Sequence, residues 1–582
     1  MPELMHSVAT LPRGSTLSVH GLALAAIALV SMSSSSLTAE TSLSRRIDSA
    51  IESPLKVAPA QECNEAEFVR RIYLDLTGVI PSPQETRRFL DDAPTTEKRT
   101  ALIDQLLASP AYARRMQIWF DVMLMERRPD VSIPSSRWRA YLRRAFLENR
   151  PYNELVREIL SSDGADPLTR PAAKFYLDRK GDVNLLTRDI ARLFLGRDLQ
   201  CCQCHDHPLI DDYHQVHYYG LVAFLNRSFV FTDKNKKVFV GEKGVSDLQT
   251  FKSVFFPDEN HETLPRVLDR QPINEPRFPK DQEYLVAPAD GVRPVPKFSR
   301  REQLALAITA ADNRDFAKNT VNRLWAMMMG RGLVEPLDLH HSENPPSHPE
   351  LLDALADALV ESGFNVKTIL REIARSQTYQ RSSVLPEGVE EELVPPESYA
   401  VAALRPLSPE QLCFSLLQAL GLSDVQRAAV DNQLRTADPR LNELLSVDPA
   451  REALREQLAE QAVFDRLKGN LGAFVGLFGG PAGSPQDRTE TTVHQALFLT
   501  NSAMANSWLG TGVAGLVHRL TRITNSSAVA DELYLSVLSR RPSDVERGEV
   551  SGYLAARGDP RVAALQELAW ALCMSPEFRF NH

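Results

Sequence analysis

The sequence predicts a mainly α-helical protein, with two multi-helix modules and a small β-rich insert between them. Residues 40–226 and 301–582 carry apolar positions at helical spacing, separated by helix-capping and helix-ending residues. Residues 227–300 instead show short alternating or apolar runs and proline-rich loops. With 582 residues, of which 43% are hydrophobic and 24% charged, the chain is long enough to bury more than one core.

Residues 1–39 have the features of a secretory signal peptide. Arg13 precedes an apolar run from Gly21 to Val30, and a stretch of small residues ends at Ala39, where we expect cleavage, with Ser36 as the alternative. The run is too short to span a bilayer well, and no later segment is long and apolar enough. We therefore expect an exported protein, periplasmic or at the cell surface, without a transmembrane span in the mature chain.

Helix signals recur through the N-terminal helical module, residues 40–226. Asn64 and Glu67 form a capping-box pattern, and Gly78 ends the helix that follows. Ser82 and Glu85 repeat the pattern around a first-turn proline. Further helices are predicted near 97–108, 111–126, 135–148, 152–161, 184–195 and 213–225.

The insert, residues 227–300, begins with a predicted β-hairpin. The runs 228–232 and 237–241 are rich in Phe and Val, and the polar residues 233–236 separate them. Helical patterns return in residues 301–582, with linkers predicted near 383–398 and 479–490.

A weak internal repeat occurs three times. Each copy begins with Pro-Ser-x-x-Glu, contains two helical segments, and ends with a serine three residues before an aromatic residue. The copies are Pro81 to Tyr112, Pro346 to Tyr379 and Pro542 to Phe578. We expect the final aromatic side chain of each copy to be a core residue.

The most informative motif is Cys201-Cys202-Gln203-Cys204-His205, which contains C-x-x-C-H, the attachment signature of a c-type haem. Two cysteines three positions apart lie on the same side of a helical turn, as two thioether bonds to one porphyrin require. His205 then follows in position to coordinate the iron. The pattern predicts that Cys201 and Cys204 anchor a haem and that His205 is the proximal metal ligand.

Two other interpretations of the motif stay open. Cys201, Cys204, His205 and His207 can together supply four zinc ligands of a metal-dependent enzyme. Alternatively, Cys201 and Cys204 form a disulfide or are structural thiols of a non-catalytic cell-surface or scaffold protein. The H-D-H-P continuation makes His207 a further candidate site residue under the haem hypothesis as well.

Other residues are candidates for supporting roles at a haem. Asp206 or a backbone carbonyl is expected to orient an imidazole, and Arg323 and Trp325 are weighed between a haem contact and buried helix packing. The sixth iron ligand is left open among six candidates: His214, His217, His340, His341, His348 and the Met327–Met329 cluster.

The charge balance indicates which partners to expect. The formal net charge is −9, from 66 basic and 75 acidic residues, which argues against nucleic acid as the main partner. A haem protein in an exported compartment needs a redox partner or an exported oxidoreductase complex, and the sequence does not identify which.

Several long motifs resemble a tandem of two exported domain families of unknown function that is abundant in planctomycetes. Residues 70–78, with the sequence RRIYLDLTG, and residues 194–224 around the cysteine motif resemble the first family, often called cytochrome-associated. The motifs at 322–336, 344–352, 378–383, 495–501 and 575–578 resemble its C-terminal companion family.

This resemblance implies an association with cytochromes, without an established activity. The chain departs from the family pattern at three positions near the motif. Cys202 stands where a small residue is usual, and His214 and His217 stand where other polar residues are usual. These departures argue against His214 and His217 as ligands shared by the family.

Overall fold

The protein is mainly α-helical, as a computed structural model shows for residues 42–93, 95, 97–244, 248–437, 449–486, 492–512, 514–557 and 560–582. The predicted signal peptide, residues 1–39, lies outside the described residues. Within the described ranges, no helix combines the length and the apolar character needed to cross a bilayer.

The described α-helices are numbered in chain order. The helices before the insert are α1 (Leu43–Glu52), α2 (Glu65–Leu76), α3 (Pro83–Asp91), α4 (Lys98–Ala108), α5 (Pro110–Met125), α6 (Ser135–Leu147), α7 (Tyr152–Ser161), α8 (Lys174–Leu177), α9 (Val183–Leu195) and α10 (Gln215–Leu225). Short 3₁₀ turns lie at Arg170–Ala173 and Cys201–Gln203.

The helices after the insert begin at residue 300. They are α11 (Arg300–Ile308), α12 (Arg314–Met329), α13 (Pro349–Glu361), α14 (Val366–Arg375), α15 (Pro409–Ala419), α16 (Leu422–Ala437), α17 (Pro449–Leu467), α18 (Leu471–Phe478), α19 (Val493–Asn501), α20 (Ala503–Trp508), α21 (Leu516–Thr521), α22 (Ser526–Val537), α23 (Asp544–Arg557), α24 (Arg561–Met574) and α25 (Pro576–Arg579).

The capping residues read from the sequence mark the helix ends. The Asn64 side chain accepts the N–H groups of Ala66 and Glu67, each at 3.0 Å. Ser82 and Glu85 make the full reciprocal capping box at the start of α3. Gly78 has φ +76°, so the chain leaves α2 through a left-handed residue that suits glycine.

The strands form small antiparallel two-stranded sheets. In the insert, β1 (Ser228–Thr232) pairs with β2 (Val238–Glu242), β3 (Gln249–Phe251) with β4 (His261–Thr263), and β5 (Tyr284–Val286) with β6 (Val295–Pro296). The first pair confirms the predicted hairpin to within one residue. A fourth pair, β7 (Arg405–Pro406) with β8 (Phe580–Asn581), joins the middle of the chain to its C-terminal end.

Two hydrophobic cores organise the described part of the chain. The first core contains buried side chains from Ile47 to Tyr399, so α11 to α14 share it with the helices before the insert. The second contains side chains from Leu407 to Phe578 together with Leu74 and Ile80. The change of core near residue 400 falls next to the predicted linker at 383–398.

The three copies of the internal repeat end in the same local structure. In each copy the serine hydroxyl donates to the carbonyl three residues earlier, at 2.7 Å, and accepts the N–H of the aromatic residue three positions later. The serines are Ser109, Ser376 and Ser575, and the aromatic residues are Tyr112, Tyr379 and Phe578. All three aromatic side chains are at most 1% exposed, which confirms them as core residues.

A buried carboxylate on α2 receives hydrogen bonds from distant parts of the chain. Asp75 is fully buried and accepts from the Tyr379 hydroxyl at 2.8 Å and from the Asn581 amide at 2.9 Å. Arg405 donates to both of its oxygens, at 2.9 and 2.8 Å. Asp75 therefore joins α2, the end of the second repeat copy, and both strands of the β7–β8 pair.

We predict that Asp75→Ala lowers the free energy of unfolding by about 3–5 kcal/mol, because it leaves the Arg405 guanidinium buried without its carboxylate. Urea unfolding followed by tryptophan fluorescence measures the change. Asp92→Ala is the matched control, because Asp92 is exposed at the end of α3. Equal free energies of unfolding for the two variants would show that the hydrogen bonds to Asp75 do not stabilise the fold.

Candidate functional site: the C-x-x-C-H turn

The cysteine motif follows α9 and is fixed against a loop from the second half of the chain. Gly196 ends α9 with φ +70°, and a Cβ atom there would lie 2.8 Å from Cδ2 of His340. The His340 N–H donates to the Gly196 carbonyl at 2.9 Å, and the Asp198 N–H donates to the Asp338 carbonyl at 2.8 Å. Only glycine permits so close an approach of the two segments.

The motif itself forms one 3₁₀ turn, Cys201–Gln203, and the Cys204 N–H donates to the Cys201 carbonyl at 3.1 Å. Cys201 and Cys204 are exposed, whereas Cys202, between them, is fully buried in the first core. The predicted single turn is therefore present, with its two motif thiols facing solvent. All six cysteines are free, and the four outside the C-x-x-C pair are buried: Cys63, Cys202, Cys413 and Cys573.

Burial also separates the thiols chemically. Desolvation raises the pKa of the Cys202 thiol to about 12 and that of Cys413 and Cys573 to about 12. Desolvation raises the pKa of Cys63 as well. Since the thiolate is the reactive form, these four thiols are inert near neutral pH.

Two neighbouring segments hold the backbone of the turn. The Tyr219 hydroxyl, on α10, donates to the Gln203 carbonyl at 2.9 Å. The Val254 N–H, from the loop after β3, donates to the Cys204 carbonyl at 2.9 Å. The turn is thus positioned by α10 on one side and by the insert on the other.

The imidazole of His205 is oriented by its own chain. Nδ1 lies 2.6 Å from the backbone carbonyl oxygen of Asp206. Because a carbonyl only accepts, Nδ1 carries the proton in the neutral ring, and the Nε2 lone pair is left for a metal. The centroids of the Phe255 ring and the His205 imidazole are 4.9 Å apart.

Asp206 and His207 shape the chain after the motif. An Asp206 side-chain oxygen accepts the N–H of Gln215 at 2.7 Å, at the start of α10. The His207 N–H donates to the Tyr213 carbonyl at 2.8 Å, and its Nδ1 accepts the Leu209 N–H at 3.2 Å. His207 thus stabilises the turn from 207 to 213 through one ring nitrogen, which leaves only Nε2 for another ligand.

The zinc interpretation requires the four motif side chains to converge. In the part of the chain that the structure describes, no three His, Cys, Asp or Glu side chains are arranged to hold a metal ion. Cys201, Cys204, His205 and His207 therefore lie in one turn region without forming a four-ligand set.

The candidate sixth ligands near the motif have different surroundings. His214 is exposed, with Nδ1 3.9 Å from a carboxylate oxygen of Asp206. His217 is buried, and its Nε2 lies 2.9 Å from Asp269. Burial lowers the pKa of His217, although the Asp269 carboxylate opposes that shift. Its Nε2 is therefore already engaged within the protein.

The remaining candidates lie in the second half of the chain. His340 Nε2 lies 3.3 Å from the Asn322 amide nitrogen, and burial lowers its pKa to about 3. The His341 ring packs edge-on against Tyr213 at 5.5 Å, and its buried Nδ1 has no partner among the described residues. His348 and the cluster Met327–Met329 are buried in packing contacts.

Arg323 and Trp325 are engaged in buried packing. Arg323 forms an ion pair with Asp338 and donates to the Arg192 carbonyl at 2.9 Å. Trp325 is fully buried and packs edge-on against Tyr399 at 5.3 Å. Both side chains thus take the helix-packing role that the sequence left open.

An exposed apolar rim beside the motif was not predicted from the sequence. It consists of Leu209, Val254, Phe255 and Phe256, with exposed fractions of 80%, 59%, 66% and 59%. The run Val-Phe-Phe at 254–256 is the signal that sequence analysis missed, because it stands in a polar loop without strand periodicity. Large apolar side chains exposed together usually mark a binding surface.

We predict that a maleimide reagent modifies two thiols per native chain at neutral pH, those of Cys201 and Cys204. The reagent reaches exposed thiols, whereas burial both hides the other four and raises their pKa. Peptide mass mapping of reduced, haem-free protein tests this, with urea-unfolded protein as the control in which all six react. Modification of Cys202 in the native chain would contradict the described turn.

Comparison with known proteins matches two segments of the chain to two families. Residues 46–229 match the sequence model of PSCyt2, described as a protein of unknown function (DUF1549). Residues 300–554 match that of PSD1, described as a protein of unknown function (DUF1553). No curated protein and no solved structure is significantly similar to the chain. The chain is thus a tandem of a PSCyt2 domain, which contains the cysteine turn, and a PSD1 domain.

Proposed function

We propose that the protein is exported and binds one c-type haem through Cys201, Cys204 and His205, for electron transfer or as part of an oxidoreductase complex. One observation carries the proposal: the two exposed thiols lie on a single turn, next to an imidazole whose contact with the Asp206 carbonyl uses Nδ1 rather than Nε2. The other four thiols are buried, so this pair is the accessible one.

The chemistry of these side chains fits the attachment of a haem. Each thiol adds across the double bond of one porphyrin vinyl group. The sulfur bonds to one vinyl carbon and the thiol hydrogen bonds to the other. The addition needs no oxidant, and it needs both thiols to be accessible from the same side. A bound haem would supply the reversible change of iron between its ferrous and ferric states.

His205 and its neighbours fit the role of an axial ligand. A metal-bound histidine commonly donates its other ring N–H to a carbonyl or carboxylate, which fixes the ring and its tautomer. The 2.6 Å contact between Nδ1 and the Asp206 carbonyl supplies that interaction. The sequence predicts that either the Asp206 carboxylate or a backbone carbonyl orients an imidazole. The group that contacts the His205 ring is a backbone carbonyl.

The apolar rim supports the haem interpretation over a small metal ion. A porphyrin presents a wide apolar face, and its burial against apolar side chains is favourable at about 25 cal/mol per Å². Val254 is bonded to the motif through its N–H, and Phe255 contacts His205. The rim is therefore placed to cover part of a ring held at the turn, which a zinc site does not need.

Export is the part of the proposal that rests on residues 1–39. The apolar run and the small residues before Ala39 have the order of a cleavable signal. Exposed thiols outside the cytoplasm are oxidised or modified unless they are used. Two thioether bonds would protect Cys201 and Cys204 there.

We predict one covalently bound haem per chain when the full-length protein is made in a host competent in cytochrome c maturation. The expected observations are a Soret band and a haem-stained band on a denaturing gel. Both disappear in the double variant Cys201→Ser and Cys204→Ser, which removes both thioethers. Cys202→Ala is the matched control and keeps the haem, because Cys202 is buried.

The alternatives give different results in the same preparation. A colourless protein containing one zinc per chain and no iron would favour the metal-dependent enzyme. A colourless, metal-free protein that folds normally would favour a scaffold with structural thiols. Either result contradicts the haem proposal.

We predict that His205→Gly keeps the covalent haem but changes its Soret band, since the thioethers remain and the axial nitrogen is lost. Added imidazole restores the original band by supplying the missing nitrogen. His494→Ala is the control and leaves the band unchanged, because His494 is an exposed histidine on α19, outside the motif. An unchanged Soret band in His205→Gly would show that another residue is the proximal ligand.

A further inference from the structure

A cavity of about 350 Å³ lies at the junction of the PSCyt2 and PSD1 domains, apart from the cysteine turn. One face of α5 forms a wall of it, together with Glu126 just after the helix; the α5 residues recur at a spacing of three or four: Arg115, Ile118, Trp119, Val122 and Met123. The PSD1 domain contributes the C-terminal part of α12 and segments near 405–411 and 478–486. Ligand sites commonly lie at such domain junctions.

Arg115 is the distinctive polar group of this cavity. Its side chain is only 8% exposed, and within the described residues its single hydrogen bond runs from Nε to the Asp75 carbonyl at 3.4 Å. Its terminal Nη groups therefore line the cavity without a protein acceptor. A guanidinium group that faces a cavity with unused N–H donors favours a ligand that accepts from it.

The nearby carboxylates are already used by other arginines. Arg405 binds both oxygens of Asp75, at 2.9 and 2.8 Å. Arg127 binds both oxygens of Glu410, at 2.6 and 3.2 Å. Arg405 and Arg127 thus each bind one carboxylate through both of its oxygens. Among the described residues, Arg115 has no carboxylate hydrogen-bonded to it.

The charge of Arg115 persists at neutral pH. Desolvation lowers its pKa to about 10, and the charges that act on it are those of Asp75, Glu410 and Arg405. Among the described lining residues, Glu335 is the carboxylate without an arginine partner, and it accepts the Gly332 N–H at 3.0 Å. The charges that act on Arg115 therefore nearly balance, and the anionic preference of the cavity rests on the unused Nη donors of Arg115.

Apart from Glu335, the other ionic groups on the described lining are paired with one another. Arg192 binds Glu126 at 2.5 Å and Asp338 at 3.3 Å, and Arg323 also pairs with Asp338. The rest of the wall is largely apolar, with Trp119 and Met123 on α5 and Phe478 at the end of α18. A ligand that fits therefore has one anionic end and an apolar body.

We propose that this cavity binds a small monoanionic carboxylate with an apolar body, whose carboxylate accepts hydrogen bonds from the Nη groups of Arg115. Arginine binds a carboxylate through two parallel N–H groups, and such charge-assisted bonds are stronger than neutral ones. The ligand contacts both domains, so its binding stabilises their association. This site is independent of the proposed haem.

Octanoate is the probe, because it combines one carboxylate with an apolar chain that suits a cavity at the lower end of ligand-site volumes. Isothermal titration of the full chain should show saturable binding at one site. 1-Octanol, with the same chain and no charge, should bind at least about tenfold more weakly, as expected for loss of a charge-assisted hydrogen bond. Octylammonium, with the opposite charge, should not bind.

Variants of Arg115 test the residue itself. Arg115→Gln should reduce octanoate affinity to that of 1-octanol, whereas Arg115→Lys, which keeps the charge, should retain most of it. Arg144→Gln is the matched control, because Arg144 is exposed on α6 and paired with Glu148. It should leave the affinity unchanged.

Four results would overturn the proposal. They are the absence of saturable octanoate binding to the unaltered chain, equal binding of octanoate and 1-octanol, equal binding of octanoate and octylammonium, and full affinity in Arg115→Gln. The first three use the unaltered chain, so the test remains decisive if Arg115→Gln does not fold.

Discussion

The fold depends on charged side chains buried on one helix, α2, above all Arg70, Arg71 and Asp75. Arg70 donates to the carbonyls of Val537 and Phe578, at 3.3 and 2.7 Å, and Arg71 donates to the carbonyl of Tyr379 at 2.7 Å. Asp75, one turn later, binds Arg405. A buried charge is tolerated only where all of its partners are in place. Helix α2, which belongs to the PSCyt2 domain, therefore requires PSD1 residues and the C-terminal segment around it.

The same interactions give a physical role to the internal repeat. The second copy ends at Tyr379 and the third at Phe578, and each of these residues offers its backbone carbonyl to one of two consecutive arginines. The guanidinium groups also lie over the aromatic rings, Arg70 at 5.5 Å from Phe578 and Arg71 at 5.8 Å from Tyr379. The serine-capped turn thus places a backbone carbonyl and an aromatic ring side by side in each copy. Arg70 and Arg71 of α2 each contact one such turn.

Local features of the fold were predictable, whereas the long-range partners were not. The capping box at Ser82, the left-handed glycine at 78 and the hairpin at 228–242 follow from residues a few positions apart. The sequence also marked the cysteine turn, because its spacing is local. It could not show that Asp75 meets Arg405 or that Arg115 is left without a carboxylate. Those facts depend on side chains hundreds of positions apart, and charge patterns along a chain do not encode which ions share a buried site.

The position of the cysteine turn follows from the same domain contact. The Gly196 carbonyl accepts from His340, and the Tyr213 hydroxyl donates to the His340 carbonyl at 3.1 Å. One PSD1 residue therefore fixes the chain both before and after the motif. Both hydrogen bonds use backbone groups of His340, so this contact carries no charge to be screened or titrated near neutral pH. The two exposed thiols belong to the PSCyt2 domain, but the geometry that presents them is completed by PSD1, which gives a structural reason for the two domains to occur on one chain.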